Sequence, residues 1–266
     1  MCMMKEEMTM KSTEDERLSS VQNAIRLLNV FSVEEAELGI SELSDKLGIA
    51  KSTVHRLVTT LASEGFIAKD KNTNQYRLGI SILALSNVLT STMPVHQAAL
   101  PVLHELGKKT KESFLFGIFR GDEVIFLNRI VGGLDFIPAL SEIGSRVPAH
   151  CTSSGQVFLA YQPKEVVDRI INKGLKRYTK TTITEAHLMH ALLRKVREQG
   201  YAVSIGELHE GITSIAAPIR NAKGQVVATV SMPGPAQRIT PDNIPLLTKH
   251  VLQAAKEISL RYQQLK

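Results

Sequence analysis

Lys51-Ser52-Thr53-Val54-His55-Arg56-Leu57 is the stretch that decides how this 266-residue chain is read. Val54, Leu57, Val58 and Leu61 recur at three- and four-residue steps, so the sequence predicts a helix from about Lys51 to Glu64 with one apolar face. Short polar and basic side chains fill the other face. Gly65 stops the helix, where φ must turn positive. Upstream, Ile40 to Leu47 predicts a shorter helix, and Gly48-Ile49-Ala50 predicts a tight turn between the two. Further upstream, Leu18, Val21, Ile25, Leu28 and Phe31 share one face of a third predicted helix. Downstream, Phe66–Asp70 and Gln75–Leu78 flank the polar run Lys71–Asn74, which is the pattern of a hairpin. Three helices followed by a hairpin make a winged helix-turn-helix.

That pattern points to duplex DNA. Lys51 and Arg56 suit phosphates or guanine edges; Ser52, Thr53 and Thr59 suit phosphates or bases, and His55 suits either. Lys69, Lys71 and Arg77 on the hairpin would flank the groove. The competing reading is a protein-binding helical module, in which Ser52 and Thr53 merely cap a helix. Charge supports the DNA reading only locally. The chain carries +6 overall, but Lys46, Lys51, Arg56, Lys69, Lys71 and Arg77 face only Glu64 and Asp70 over residues 46–78. The acids gather in the first residues and at Glu34, Glu35 and Glu37, so the focus matters more than the sum.

Composition narrows the rest. With 43% apolar and 22% charged residues the chain can bury a core, and its length suits about two domains. Aromatics are 5% and Trp is absent, which argues against a stacking platform for single strands. Two cysteines, Cys2 and Cys151, make neither a disulfide framework nor a four-ligand zinc site. No apolar run approaches a membrane span, and no secretory signal is evident, so a cytoplasmic protein is expected. Residues 1–17 read as a flexible tail.

Beyond the hairpin, Ile80, Leu83, Leu85 and Val88 predict a helix over 79–93 that links two domains. Residues 94–266 then predict α, β, β, α, α, α, β, β, β, α, a mixed sheet with helices on it. The strands are expected at Phe114–Phe119, Val124–Leu127, Tyr201–Ile205, Ile212–Ile219 and Gln225–Ser231, with a last helix from Pro241 to about Gln264. The fold class is α+β: winged helix-turn-helix (18–78), linker helix, and a sensor-like second domain.

At these residues the chain resembles the IclR-type bacterial transcription regulators. The first half offers Lys51–Leu57, Thr60-Leu61, Gly65 and Tyr76-Arg77-Leu78-Gly79. The second offers Gly144–Thr152 with Gly155, then Arg197–Ala202, Glu207, Gly211, Ala216-Ala217-Pro218 and Gly234-Pro235. The resemblance implies a GAF-like effector domain, dimers or tetramers, a pseudo-palindromic operator, and small carboxylates, sugar acids or aromatic acids as effectors. It also implies a pocket built from Ser153, Ser154, Gly155, Ser204, Ser214 and Ser231. Some members repress and some activate; a repressor of a catabolic operon is the expectation. Three positions depart from the family pattern: Gln156 stands where Lys is usual, Ser204 where several members carry an acid, and Pro233 where Ser is frequent.

The residues themselves agree with an anion pocket, because the run His150–Gly155 precedes a helix whose free N–H groups favour a carboxylate. The plainer reading is that Ser153 only caps that helix. Glu207 either holds a loop or lines the pocket. A Cys151–His150 dyad is disfavoured, since neighbours in an extended segment point apart. No metal-ligand spacing links His150, Cys151, His187, His190 and His209. Neither an enzyme, a cofactor nor a metal is therefore expected. The rivals are an enzyme acting on a small acid in the same pocket, and a constitutive architectural DNA binder.

Overall fold

The computed structural model describes residues 18–133 and 142–265. The expected tail at 1–17, with Cys2, lies outside the described residues. The chain divides into two compact units, Met1–Leu89 and Thr90–Lys266.

In the first unit, α1 (Ser19–Leu28), α2 (Ile40–Leu47) and α3 (Lys51–Ser63) precede the hairpin β1 (Ile67–Lys69) and β2 (Tyr76–Leu78). Leu27, Leu38, Leu43, Leu47, Val54, Val58, Ile67 and Tyr76 form its core. Gly48 ends α2 in the left-handed region at φ 67°, which a side chain would strain, and so lets α3 start at once. Leu38 pairs with Tyr76 and adds a third short segment to the wing. The expected apolar face of the first helix holds in part: Leu28 and Phe31 pack against this core, whereas Leu18, Val21 and Ile25 are more than half exposed and Leu27, outside that face, is fully buried.

α4 (Ser81–Ser91) follows, and the division between the units falls within it. Leu83 and Leu85 on this helix, and Ile80 just before it, are exposed.

The second unit contains α5 (Pro94–Thr110), β3 (Phe114–Arg120), β4 (Glu123–Ile130), β5 (Arg146–Pro148), α6 (Ser153–Ala160), α7 (Lys164–Asn172), α8 (Ala186–Gln199), β6 (Ala202–Ile205), β7 (Ile212–Arg220), β8 (Val226–Pro235) and α9 (Ile244–Gln264). Its six strands run in the order β5-β4-β3-β8-β7-β6. The class is α+β as expected, but the pairing differs from the mixed sheet foreseen. Every junction between described strands is antiparallel. β5 was not foreseen, because three residues between Gly144 and His150 are too short to show a period. The last helix starts at Ile244 rather than Pro241.

Strand alternation divides the sheet into two faces. Ile215, Ala217, Ile219, Ala228, Val230 and Met232 face α5 and α9 in the larger core. Ala202 and Ala216 face the other way, with Ala149, Val157, Leu159, Met189, Leu193 and Val196 from α6, α8 and the turn before α6. The second face carries the cavity described below.

Candidate functional site

The reading helix α3 begins after Ala50, which has an extended backbone and makes no side-chain capping bond. Ser52 and Thr53 are therefore not caps, and both are exposed, as are Lys51, His55, Arg56 and Thr59. Thr59 donates its hydroxyl proton to the His55 carbonyl at 2.8 Å, which leaves its oxygen as an acceptor only. Thr53 and Arg56 lie toward α1 and line a groove shared with Ser19, Ser20 and Asn23.

On the wing, Asp70 Oδ1 accepts from the Asn72 and Thr73 amides at 2.7 and 3.0 Å. These bonds hold the Asp70 carboxyl below its ordinary pKa. They also fix the turn that presents Lys71. Lys69 Nζ lies 5.7 Å from the centroid of the Tyr76 ring. Arg77 faces Glu37 at 3.4 Å and Lys46 faces Glu35 at 2.7 Å. Exposed pairs of this kind contribute under about 1 kcal/mol, so a phosphate competes readily for the cations.

The second site lies where α6 starts against the sheet. Strand register explains how residues far apart in sequence meet. Ser204 pairs with Ser214, and Ser214 with Pro233, in one row across β6, β7 and β8. Leu115 pairs with Ser231, and Ser231 with Ala216, in the next row. These rows floor a cavity of about 50 Å3 whose wall also includes Phe126, Val147, Cys151, Ser153, Ser154 and Glu207. Five of the six expected effector residues, Ser153, Ser154, Ser204, Ser214 and Ser231, thus line one cavity.

Gly155 does not line it. A Cβ there would lie 2.2 Å from the Ala149 Cα, so this glycine lets the start of α6 pack against the turn before it. The capping expectation for Ser153 is corrected as well. Thr152 is the N-cap, and its hydroxyl accepts from the Gly155 amide at 3.2 Å. Ser153 Oγ is released from capping and donates to Ser214 Oγ at 2.8 Å. Ser154 Oγ is buried with no hydrogen-bond partner. Such a group costs free energy until something bonds it.

Glu207, left open between two roles, fills both. Its carboxylate lines the cavity and accepts from Gln156 Nε2 at 2.9 Å. Its backbone carbonyl accepts from Thr182 Oγ1 at 2.6 Å, tying down the 179–182 loop. Burial raises the Glu207 pKa above its ordinary value, while bonds from Gln156 and Ser204 pull it back in part. Leu115, Phe126 and Val147 were missed as wall residues. Leu115 and Phe126, as apolar strand positions, read as ordinary core, Val147 lay in a stretch not read as a strand, and only the register reveals them.

His150 and Cys151 sit in a turn rather than the extended segment expected, so that argument against a dyad gives way to a direct one. His150 Nε2 engages the Lys176 carbonyl at 2.9 Å. Burial and the nearby Glu207 push the Cys151 thiol up to about 12, so it holds its proton at neutral pH. Among the described residues no group of His, Cys, Asp and Glu could hold a metal ion. No helix among them is long and apolar enough to cross a membrane.

A winged helix with an exposed basic reading helix, and a separate α+β domain enclosing a cavity of serines and apolar side chains, define a two-domain transcription regulator. The chain belongs to the IclR family: residues 20–71 match the IclR helix-turn-helix domain, and residues 87–260 match the bacterial transcriptional regulator IclR C-terminal domain. It is 30% identical to the HTH-type transcriptional regulator XynR of Escherichia coli K12, over 91% of this chain and 96% of that protein. The IclR-type regulator of Alicyclobacillus acidocaldarius superposes with a TM-score of 0.83 at 29% identity, covering 92% of this chain and 99% of that one. A Microbacterium hydrocarbonoxydans homologue crystallised with 4-hydroxybenzoate superposes at 0.82 with 25% identity, covering 92% of this chain and 99% of its own. The chain is a DNA-binding transcription regulator with a C-terminal effector-binding domain, and its relatives are regulators rather than enzymes.

Proposed function

We propose that the protein is a cytoplasmic repressor of a catabolic operon that releases DNA when a small carboxylate enters the cavity at the start of α6. The observation that carries this reading is the cavity itself. Five serines and the first turn of a helix converge there, and such groups suit an anion. A homologue that binds the carboxylate 4-hydroxybenzoate supports the ligand class.

On the DNA side, Lys51, Ser52, Thr53, His55, Arg56 and Thr59 read the major groove of a pseudo-palindromic operator. Lys69, Lys71 and Arg77 hold the flanking phosphates. The reading places the DNA-binding domain at 18–78, the linker at 79–93 and the effector domain at 94–266. A homodimer, or a dimer of such dimers, supplies two reading helices. Exposed Leu18, Val21 and Ile25 on the first helix, and Ile80, Leu83 and Leu85 near the linker, support this assembly. The linker carries the response, and the ligand shifts DNA affinity only by its differential affinity for the two states.

The test is a gel shift on the operator with and without small acids first selected by thermal shift. Ser154→Trp fills the cavity and is expected to abolish effector-driven release in a protein that still melts cooperatively. Release by the same effector at the same concentration would overturn the site.

A further inference from the structure

The cavity wall has an unusual charge balance. Glu207 is 7% exposed and lines the cavity, yet among the described residues no Lys or Arg shares that wall. Among the described residues, no ion pair involves Glu207. Among the described residues, the other titratable groups on the wall are the Cys151 thiol and His209. Gln156 holds the carboxylate from behind. Its Nε2 bonds both Glu207 Oε2 at 2.9 Å and the His150 carbonyl at 3.2 Å. Gln156 Oε1 is then left buried without a partner. The Gln156 amide solvates the Glu207 carboxylate, and among the described residues no cation on the wall offsets its charge. The wall also carries the unpartnered Ser154 hydroxyl at the start of α6, where first-turn N–H groups lack helical acceptors.

A simple monoanionic acid answers the serines but adds a second negative charge to a small enclosed space. A ligand with an ammonium group answers both ends. We propose that the cavity takes a small zwitterion, a short amino acid whose carboxylate meets the start of α6 and whose ammonium meets Glu207. Leu115, Phe126 and Val147 accept its carbon chain. A cavity of about 50 Å3 suits roughly four to six heavy atoms. This inference rests on the carboxylate reading and narrows it, and it makes Glu207 the residue that sets specificity.

Calorimetry on the full chain tests it with matched probes: glycine, L-alanine and β-alanine against glycolate, L-lactate and 3-hydroxypropionate. At least one amino acid is expected to bind about tenfold or more tighter than its hydroxyl partner. Glu207→Gln is expected to erase that preference. Gln156→Lys, which sets a protein ammonium beside Glu207, is expected to erase it too and to improve hydroxy-acid binding. Hydroxy acids binding wild type as tightly as the amino acids would overturn the zwitterion and leave the carboxylate reading standing. So would an intact preference in a Glu207→Gln protein that melts cooperatively. Failure of both probe sets to bind wild type would overturn the two readings together.

Discussion

Arg56 and Glu207 show how single side chains divide the work. Arg56 is exposed on α3, forms no ion pair among the described residues, and can meet a base edge or a phosphate. Arg56→Ala is expected to weaken specific operator binding by roughly 1–3 kcal/mol, read by gel shift at fixed salt. Glu207 has the opposite setting, a carboxylate held away from water. Its folded-state pKa lies above the ordinary 4.5, chiefly through burial. The folded chain therefore binds this proton more readily than the unfolded chain. The stability so gained is full below the unfolded value and is lost as pH rises through the raised folded value. Glu207→Gln removes the titration. It is expected to stabilise the ligand-free protein by roughly 1 kcal/mol at neutral pH, and the gain should vanish on acidification toward pH 4.5. Urea melts across that window measure it; a gain that grows with acid would contradict the sign. The basic residues of α3 were legible in the sequence because they lie within one helical turn or two of each other. The unpaired state of Glu207 was not, because it depends on which residues share its wall.

At the scale of elements, two junctions carry most of the design. In the DNA domain, Gly48 at φ 67° sets α3 directly after α2. In the effector domain, Gly155 lets the start of α6 approach the backbone of Ala149, where even a methyl group would collide at 2.2 Å. Gly155→Ala is expected to cost roughly 1–3 kcal/mol in a urea melt, through overpacking. It should also displace the α6 start and weaken effector binding. Gly48 was readable as a helix stop, since a glycine between two apolar-periodic stretches has one common use. The role of Gly155 was not, because the atoms it makes room for belong to another part of the turn. The first helix shows a similar limit. Periodicity grouped Leu18, Val21, Ile25, Leu28 and Phe31 on one face, yet only Leu28 and Phe31 of these pack on the core, beside the fully buried Leu27. Spacing identifies which residues share a face, and the neighbouring helices decide which face turns inward.

For the whole molecule, two units with separate cores lie either side of a division within α4. Exposed Leu83 and Leu85 on that helix fit the proposed homodimer. Leu83→Glu with Leu85→Glu is expected to shift the protein toward monomer in sedimentation velocity. The same pair should weaken binding to a full palindrome far more than to a half-site. A monomeric wild type that still binds the full site with undiminished affinity would overturn the dimer. The sequence by itself determined the winged helix and the α+β class, because each follows from local period and turn chemistry, and its resemblance to the IclR family implied the serine positions of the cavity. Tertiary structure alone decided the antiparallel order of the sheet, the apolar wall at Leu115, Phe126 and Val147, and a buried carboxylate with no ion-pair partner among the described residues. The physical reason is range. Helix and turn preferences act over a few residues, whereas strand register joins residues 115, 204, 214 and 231 only once the chain has folded back on itself.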